Sequence, residues 1–184
     1  MDPERRTRAT LLLPALALLC AAATASAQAP PAGEWKLFQE FNFLSGSWSG
    51  PAESGGRIGG RVVTLASEVD GAMLRYRATT FFPAKDALPE SRTEEIGHIV
   101  YDSAKGKYVA LVVFSTKAWG IYDAEVRPDG SIIFVSREMA NLEAGTRSRW
   151  TLQKKSDGSI AETLEVAPPS RDFVAFLTAT LAKK

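Results

Sequence analysis

Residues 41–50 read Phe-Asn-Phe-Leu-Ser-Gly-Ser-Trp-Ser-Gly, and this stretch decides the fold. An apolar run passes through a flexible Ser-Gly pair to Trp48, and strand-like sequence follows. The Gly-x-Trp lies at the mouth of the first predicted strand, where we expect the large indole ring to be buried at one end of the fold. Gly46 allows the chain to turn tightly beneath that ring. The stretch predicts a cup-shaped β-protein with Gly46 and Trp48 as its structural plug.

Turn signals recur at short, fairly regular intervals after this opening. In Pro128-Asp129-Gly130, for example, proline presets φ and glycine accepts a positive φ. The last strand-like run also fits helical spacing, but a closing strand is needed and Phe, Val and Thr suit one. Ten strand-like runs lie between the turns: 47–54, 60–69, 72–82, 92–101, 107–115, 118–127, 131–138, 146–154, 159–166 and 172–181.

Such a meander can close on itself and so remove its edges. We therefore predict an all-β fold over residues 35–184. It is a single antiparallel up-and-down barrel of about eight to ten strands, with a short helical entry segment from Trp35 to Leu44.

Residues 1–27 have the pattern of a secretory signal peptide. Arginines precede an apolar run over 11–23, and Ala25-Ser26-Ala27 supplies a small-x-small cleavage site. The run is too short to span a bilayer comfortably, so we expect no membrane span. Residues 28–34 form a Pro/Ala-rich linker, which we expect to be flexible. These features predict a periplasmic or secreted protein after cleavage near Ala27.

Charge and cysteine content exclude several classes of function. The 22 basic and 21 acidic residues become equal in number once the predicted signal peptide, with three arginines and two acidic residues, is removed. A neutral chain without a basic block is a poor candidate for nucleic-acid binding. The only cysteine, Cys20, lies in the signal and follows Leu19, which does not suit lipid attachment. The mature chain then has no disulfide or thiolate metal site.

Three stretches carry a resemblance to a known family. The opening over 41–50 resembles that of bacterial lipocalin-like domains of unknown function, which start with Phe-x-Phe-Leu-x-Gly-x-Trp-x-Gly. The strand-turn-strand from Gly97 to Tyr108 and the Arg-x-x-Trp-Thr-Leu from Arg147 to Leu152 are similar too. The likeness covers roughly residues 38–182, and it implies a barrel with a ligand cavity but no settled chemistry.

The Gly-x-Trp start is also distantly similar to that of nitrobindin-type haem barrels. Those proteins hold the iron with a histidine late in the chain, and this chain has no histidine after His98. Haem is a possible cofactor implied by this resemblance, and the missing ligand argues against it. The identity of any cofactor stays open.

Two polar residues stand out on strand faces that are otherwise apolar. His98 shares a face with Ile96 and Val100, and Glu162 shares one with Leu164 and Val166. We predict that both face the lumen. His98 is then a metal ligand, a haem ligand, a general base, or a core or cavity-wall histidine with one hydrogen bond, and a single histidine makes no zinc site. Glu162 is then the partner of an internal Arg or Tyr, or an anchor for a ligand's polar head.

The leading hypothesis is a barrel that binds a small apolar or amphipathic ligand in its lumen. Enzyme motifs are absent from the sequence, so we predict no catalytic residue and no metal site. The alternatives are a small-molecule enzyme, or a haem-dependent one, that uses His98 in the same cavity, and a filled barrel that acts in protein interaction. The sequence leaves the oligomeric state open. The predicted ligand-binding residues are Tyr76, His98, Trp119, Phe134 and Glu162.

Overall fold

The computed structural model describes residues 36–184. The predicted signal peptide, the predicted linker and Trp35 lie outside the described residues. A 3₁₀ entry segment, Lys36–Leu44, comes first, and a short 3₁₀ turn, Val69–Gly71, joins the second and third strands. The ten strands are β1 (Gly46–Ser54), β2 (Arg57–Glu68), β3 (Met73–Phe82), β4 (Ser91–Asp102), β5 (Lys107–Phe114), β6 (Trp119–Val126), β7 (Ile132–Ala140), β8 (Arg147–Lys154), β9 (Ile160–Ala167) and β10 (Val174–Lys183).

The strands form one closed barrel in which strands that follow each other in the sequence also lie side by side. Each consecutive pair is antiparallel, and β1 pairs with β10 to close the sheet. The predicted up-and-down barrel is confirmed, and all ten predicted strands are present. The ambiguous final run is a strand because it supplies the partner that both β1 and β9 need. Among residues 36–184, no helix is long and apolar enough to cross a membrane.

Closure brings some backbones unusually near to one another. A Cβ atom added at Gly59 would lie 2.0 Å from the carbonyl oxygen of Phe81, and one added at Gly50 would lie 1.9 Å from that of Thr180. No side chain fits in such a space, so these two positions require glycine. A Cβ atom added at the adjacent Gly60 would have no other atom within 4 Å.

The entry segment covers one end of the barrel, which we call the closed end. Phe38 and Phe41 of this segment are fully buried and contact Tyr108 of β5. Trp48 is 4% exposed, and its Nε1 donates a hydrogen bond to the carbonyl of Leu44 at 2.9 Å. The apolar core therefore occupies this half of the lumen, and the polar groups lie toward the opposite end.

Candidate functional site

A buried arginine organises the polar part of the lumen. Arg61 lies between two carboxylates and binds each of them with two nitrogens. Its Nη1 and Nη2 donate to Glu95 at 2.6 and 3.1 Å, and its Nε and Nη2 donate to Glu162 at 2.7 and 2.8 Å. Arg61 and Glu162 are 2% and 1% exposed, and Glu95 is 8% exposed. We call these residues, with the groups that bond them, the internal cluster.

Three further side chains complete the hydrogen bonds of the internal cluster. The hydroxyl of Tyr76 donates to Glu95 at 2.7 Å and accepts from Arg61, and Trp150 Nε1 donates to Glu162 at 2.9 Å. The Thr80 hydroxyl accepts from Arg61 at 2.6 Å. Every guanidinium nitrogen and carboxylate oxygen thus has a partner, as buried charges require.

Strand alternation explains how a charged residue reaches the lumen. Arg61 shares the inward face of β2 with Val63 and Leu65, which are 4% and 1% exposed. Glu95 shares the inward face of β4 with Gly97 and Ile99. Since β2, β4 and β9 are not neighbours in the barrel, the cluster connects them across its interior.

The charges of the cluster do not cancel. Two carboxylates surround one guanidinium, which leaves a formal excess of one negative charge. Burial alone would lower the pKa of Arg61, but the nearby charges of Glu162 and Glu95 outweigh it and hold this pKa well above its ordinary value. Burial raises the pKa of the Tyr76 hydroxyl well above its ordinary value, so the phenol stays neutral and can donate to Glu95.

The lumen around and below the cluster is filled. The space between the cluster and Val112, Phe114 and Tyr122 measures about 10 Å³, close to the smallest volume that can hold one water. Phe134 stacks on Trp150 with ring centroids 4.5 Å apart, and Tyr76 contacts the same indole at 4.7 Å. Among the described residues, the space beside the cluster is therefore too small for a ligand.

A pocket of about 300 Å³ opens at the end of the barrel opposite the entry segment. We call it the mouth pocket. The pocket lies at this end because its lining includes the last residues of β1, β3 and β5 and the first residue of β4, which are Ser54, Phe82, Phe114 and Ser91. Its floor is formed by Thr80 and Glu95, so the internal cluster lies directly beneath it. Arg57 lies on one wall of the pocket. The other walls are mainly apolar and are formed by Phe82, Phe114, Leu164, Phe176 and Leu177.

A larger groove of about 730 Å³ lies on the outside of the barrel, beside the entry segment. Its lining includes Tyr101, Tyr108 and Glu125. The Tyr108 hydroxyl is already bonded to Glu40 and to the carbonyl of Leu37. This groove is wide and open to solvent, whereas ligand pockets enclose most of their ligand. The mouth pocket is the better candidate despite its smaller size.

Three of the five predicted ligand-binding residues lie inside the barrel. Tyr76 and Glu162 belong to the internal cluster, and Phe134 packs in the core beneath it. None of the three lines the mouth pocket. For Glu162 the internal Glu–Arg partner is present, since both carboxylate oxygens are bonded to Arg61. The residue has no exposed oxygen to offer a ligand.

The prediction that His98 faces the lumen is wrong. The inward positions of β4 are Glu95, Gly97 and Ile99, and half-buried His98 lies on the outer face, opposite Leu111 of β5. Both faces of this strand carry apolar residues, so alternation alone could not choose between them. Arg61 decides the choice, because it compensates the charge of Glu95 inside the barrel.

Trp119 also lies on the outer face, contrary to the predicted lumen position. Its neighbours Ala118 and Gly120 occupy the inward positions, and its cross-strand partner Val113 is 42% exposed. The small inward residues leave room for the Tyr122 ring, because a Cβ added at Gly120 would lie 2.9 Å from one carbon of that ring. On this strand the large aromatic residue faces outward and its small neighbours face the lumen, so side-chain size did not predict which face is buried.

Sequence reasoning missed Arg61, Glu95 and Arg57. The sequence did contain a signal for Arg61, because this residue lies on the same alternating strand face as the apolar residues Val63 and Leu65. A charge on such a face predicts an internal partner of opposite charge. Glu162 needs such a partner, and Arg61 supplies it.

The residues of the mouth pocket do not fit haem. Its lining contains no histidine, methionine, cysteine or tyrosine that could hold an iron, and His98 lies outside the barrel. Within residues 36–184, no group of three or more His, Cys, Asp or Glu side chains is placed to hold a metal ion.

Comparison with known proteins supports the fold alone. The chain is similar to the crystal structure of Rv2717c from M. tuberculosis, with a TM-score of 0.55 and 16% sequence identity, over 85% of this chain and 99% of that one. No family model matches the chain. No curated protein matches it either.

Proposed function

We propose that this protein binds one small apolar or amphipathic molecule in the mouth pocket. The observation that carries the proposal is the position of this pocket, between apolar walls and a charged floor, above a cluster with almost no free space beside it. Its volume of about 300 Å³ lies at the lower end of the range for small-molecule sites. Ligands of modest size are therefore favoured over a long lipid or a macrocycle.

The internal cluster makes the floor of this pocket rigid. Arg61 forms hydrogen bonds to side chains on three other strands, β3, β4 and β9. Of the two carboxylates that it binds, Glu95 lines the pocket and Glu162 does not. Fixed polar groups beneath apolar walls orient an amphipathic ligand without moving, which lowers the entropy cost of binding.

Binding of a neutral fluorescent probe such as aminoanthracene tests the proposal. We expect saturable binding with one site per chain. Thr93→Trp fills the pocket from the inward face of β4 and should abolish this binding. Thr79→Trp is the matched control, because Thr79 is a half-buried threonine on the outer face of neighbouring β3. Equal binding by both variants, or none by the wild type, contradicts the proposal.

The enzyme alternative that depends on His98 loses its support, because His98 does not reach the pocket. His98→Ala should leave probe affinity and the melting temperature almost unchanged. A large loss of probe affinity in this variant contradicts our assignment of the pocket.

A second candidate function is protein interaction through the outer face of β4 and β5. Four apolar side chains there are 40–44% exposed and form a contiguous stripe: Ile96, Val100, Leu111 and Val113. A second copy of the chain is the simplest partner for such a stripe. Light scattering tests this candidate, which predicts a dimer that Leu111→Asp dissociates and which fails if the wild type stays monomeric at high concentration.

We also propose that the protein is exported and that its mature form begins near Gln28, as the residues around Ala25-Ser26-Ala27 suggest. The intact mass of the product recovered outside the cytoplasm tests this. A lipid on Cys20, or a product that keeps its first 27 residues, contradicts it.

A further inference from the structure

The mouth pocket contains an arginine with no carboxylate partner. Arg57 begins β2, lines the pocket, and places its guanidinium 5.5 Å from the centre of the Phe82 ring. Its Nη2 donates to the carbonyls of Phe82, Pro83 and Pro89 at 3.2, 2.8 and 2.8 Å. In the described part of the chain, no acidic side chain forms an ion pair with it. The carbonyl bonds fix its position, and its positive charge stays uncompensated.

The Nε of Arg57 is buried and has no hydrogen-bond partner. Among residues 36–184, it is the one buried side-chain nitrogen or oxygen in this condition. Leaving a buried donor without an acceptor is costly, so native proteins rarely do it without a specific reason. All hydrogen bonds of the guanidinium use Nη2, so its Nη1, which is not buried, also makes no hydrogen bond within residues 36–184. A guanidinium with such a free, accessible donor on the wall of an apolar pocket is suited to an anionic oxygen.

The floor of the pocket sets the orientation of such a ligand. The internal cluster carries an excess negative charge and presents Glu95 to the pocket, so an anionic group is repelled from the floor. Arg57 attracts the same group to the wall. An apolar body then lies along Phe82, Phe114 and Leu177.

We propose that the natural ligand of the mouth pocket is a small organic acid whose carboxylate binds Arg57 and whose apolar body fills the pocket. This inference rests on the proposed function, because it names the chemical class of that same ligand. The pocket volume of about 300 Å³ favours a short chain or a single ring system.

Three probes with the same apolar chain and different heads test the proposal: octanoate, octanol and octylammonium. Titration calorimetry should show octanoate binding about tenfold or more tightly than octanol, as a charge-assisted hydrogen bond implies. Octylammonium should bind no better than octanol. Equal affinities, or tightest binding of octylammonium, overturn the organic-acid proposal and leave the proposed function standing. If none of the three binds, both fail.

Arg57→Gln separates recognition from support of the loop over 83–90. We expect it to remove the preference for octanoate, because the guanidinium is lost, and to leave octanol binding measurable, because the apolar walls of the pocket remain. Arg92→Gln is the matched control, because Arg92 is an exposed arginine near the same end of the barrel whose ion pair is with Glu94. It should keep the full preference. Loss of octanol binding in Arg57→Gln, or an equal effect of Arg92→Gln, overturns the proposal.

Discussion

Arg61 Nε lies 2.7 Å from Glu162 Oε2, although the two residues are 101 positions apart in the chain. Arg61 is on β2 and Glu162 on β9, with β1 and β10 between them in the barrel. The ion pair therefore crosses the lumen. With Glu95 on β4 as the second partner, one arginine connects three strands that share no backbone ladder.

Arg61→Met should lower the free energy of unfolding by about 3–5 kcal/mol, because it leaves two carboxylates buried without their counter-charge. Urea denaturation measures the loss. Arg92→Met is the control, since the exposed pair of Arg92 and Glu94 contributes less than about 1 kcal/mol.

The combined variant Arg61→Met, Glu95→Gln and Glu162→Gln should regain part of that stability, because it removes the buried charges together. A loss in Arg61→Met no larger than that in Arg92→Met would show that the internal cluster does not stabilise the barrel.

Gly59→Ala should destabilise the protein, and Gly60→Ala, one residue later, should not. A Cβ at Gly59 would overlap the carbonyl oxygen of Phe81, so the strands must shift, at a cost of about 1–3 kcal/mol or more. A Cβ at Gly60 meets nothing, and alanine there restricts the unfolded chain, with an expected gain of about 0.4–1 kcal/mol. Thermal melts of both variants compare them directly, and similar shifts would contradict this account of closure.

Trp48→Ala should cost about 3–5 kcal/mol, as truncation of buried aromatic side chains does. The ring is buried, and its Nε1 is bonded to the carbonyl of Leu44. Trp119→Ala is the matched control, because half-buried Trp119 lies on the outer face and should lose clearly less. Denaturant melts decide between the two, and a loss below about 1 kcal/mol for Trp48→Ala would contradict its role as the plug.

Turn chemistry and alternation were sufficient to predict the barrel. Sequences such as Pro128-Asp129-Gly130 end strands for local reasons, and ten such strands in antiparallel order have few ways to avoid free edges. The final strand could be identified only through closure, since its local pattern also suits a helix. The fold therefore followed mainly from short-range signals.

The site was less predictable, because it depends on which face of each strand points inward. Glu162 could be recognised, since the rest of its face is apolar. His98 and Trp119 could not be placed, because β4 and β5 carry apolar residues on both faces and expose some of them, such as Leu111. The choice there is made by a long-range contact between Arg61 and Glu95, which no local pattern contains.

The stability of the barrel should fall as the pH rises above about 10, the ordinary pKa of tyrosine in an unfolded chain. Burial raises the pKa of Tyr76 well above this value, and it also raises the pKa of Tyr108 and of Tyr122. Between the unfolded and the folded pKa the folded state binds more protons than the unfolded state. Each rise in pH there favours unfolding, and the stabilisation is complete below about pH 10.

Tyrosinate absorbance and circular dichroism, followed together in an alkaline titration, measure this effect. We expect the two tyrosines of the lumen, Tyr76 and Tyr122, to ionise only as the barrel unfolds. Tyr76→Phe should weaken the pH dependence because it removes one of the shifted groups. It should also lower the stability at neutral pH by about 1–3 kcal/mol, since Glu95 loses a hydrogen bond. Ionisation of all four tyrosines while the circular dichroism stays native would contradict the burial of these hydroxyls.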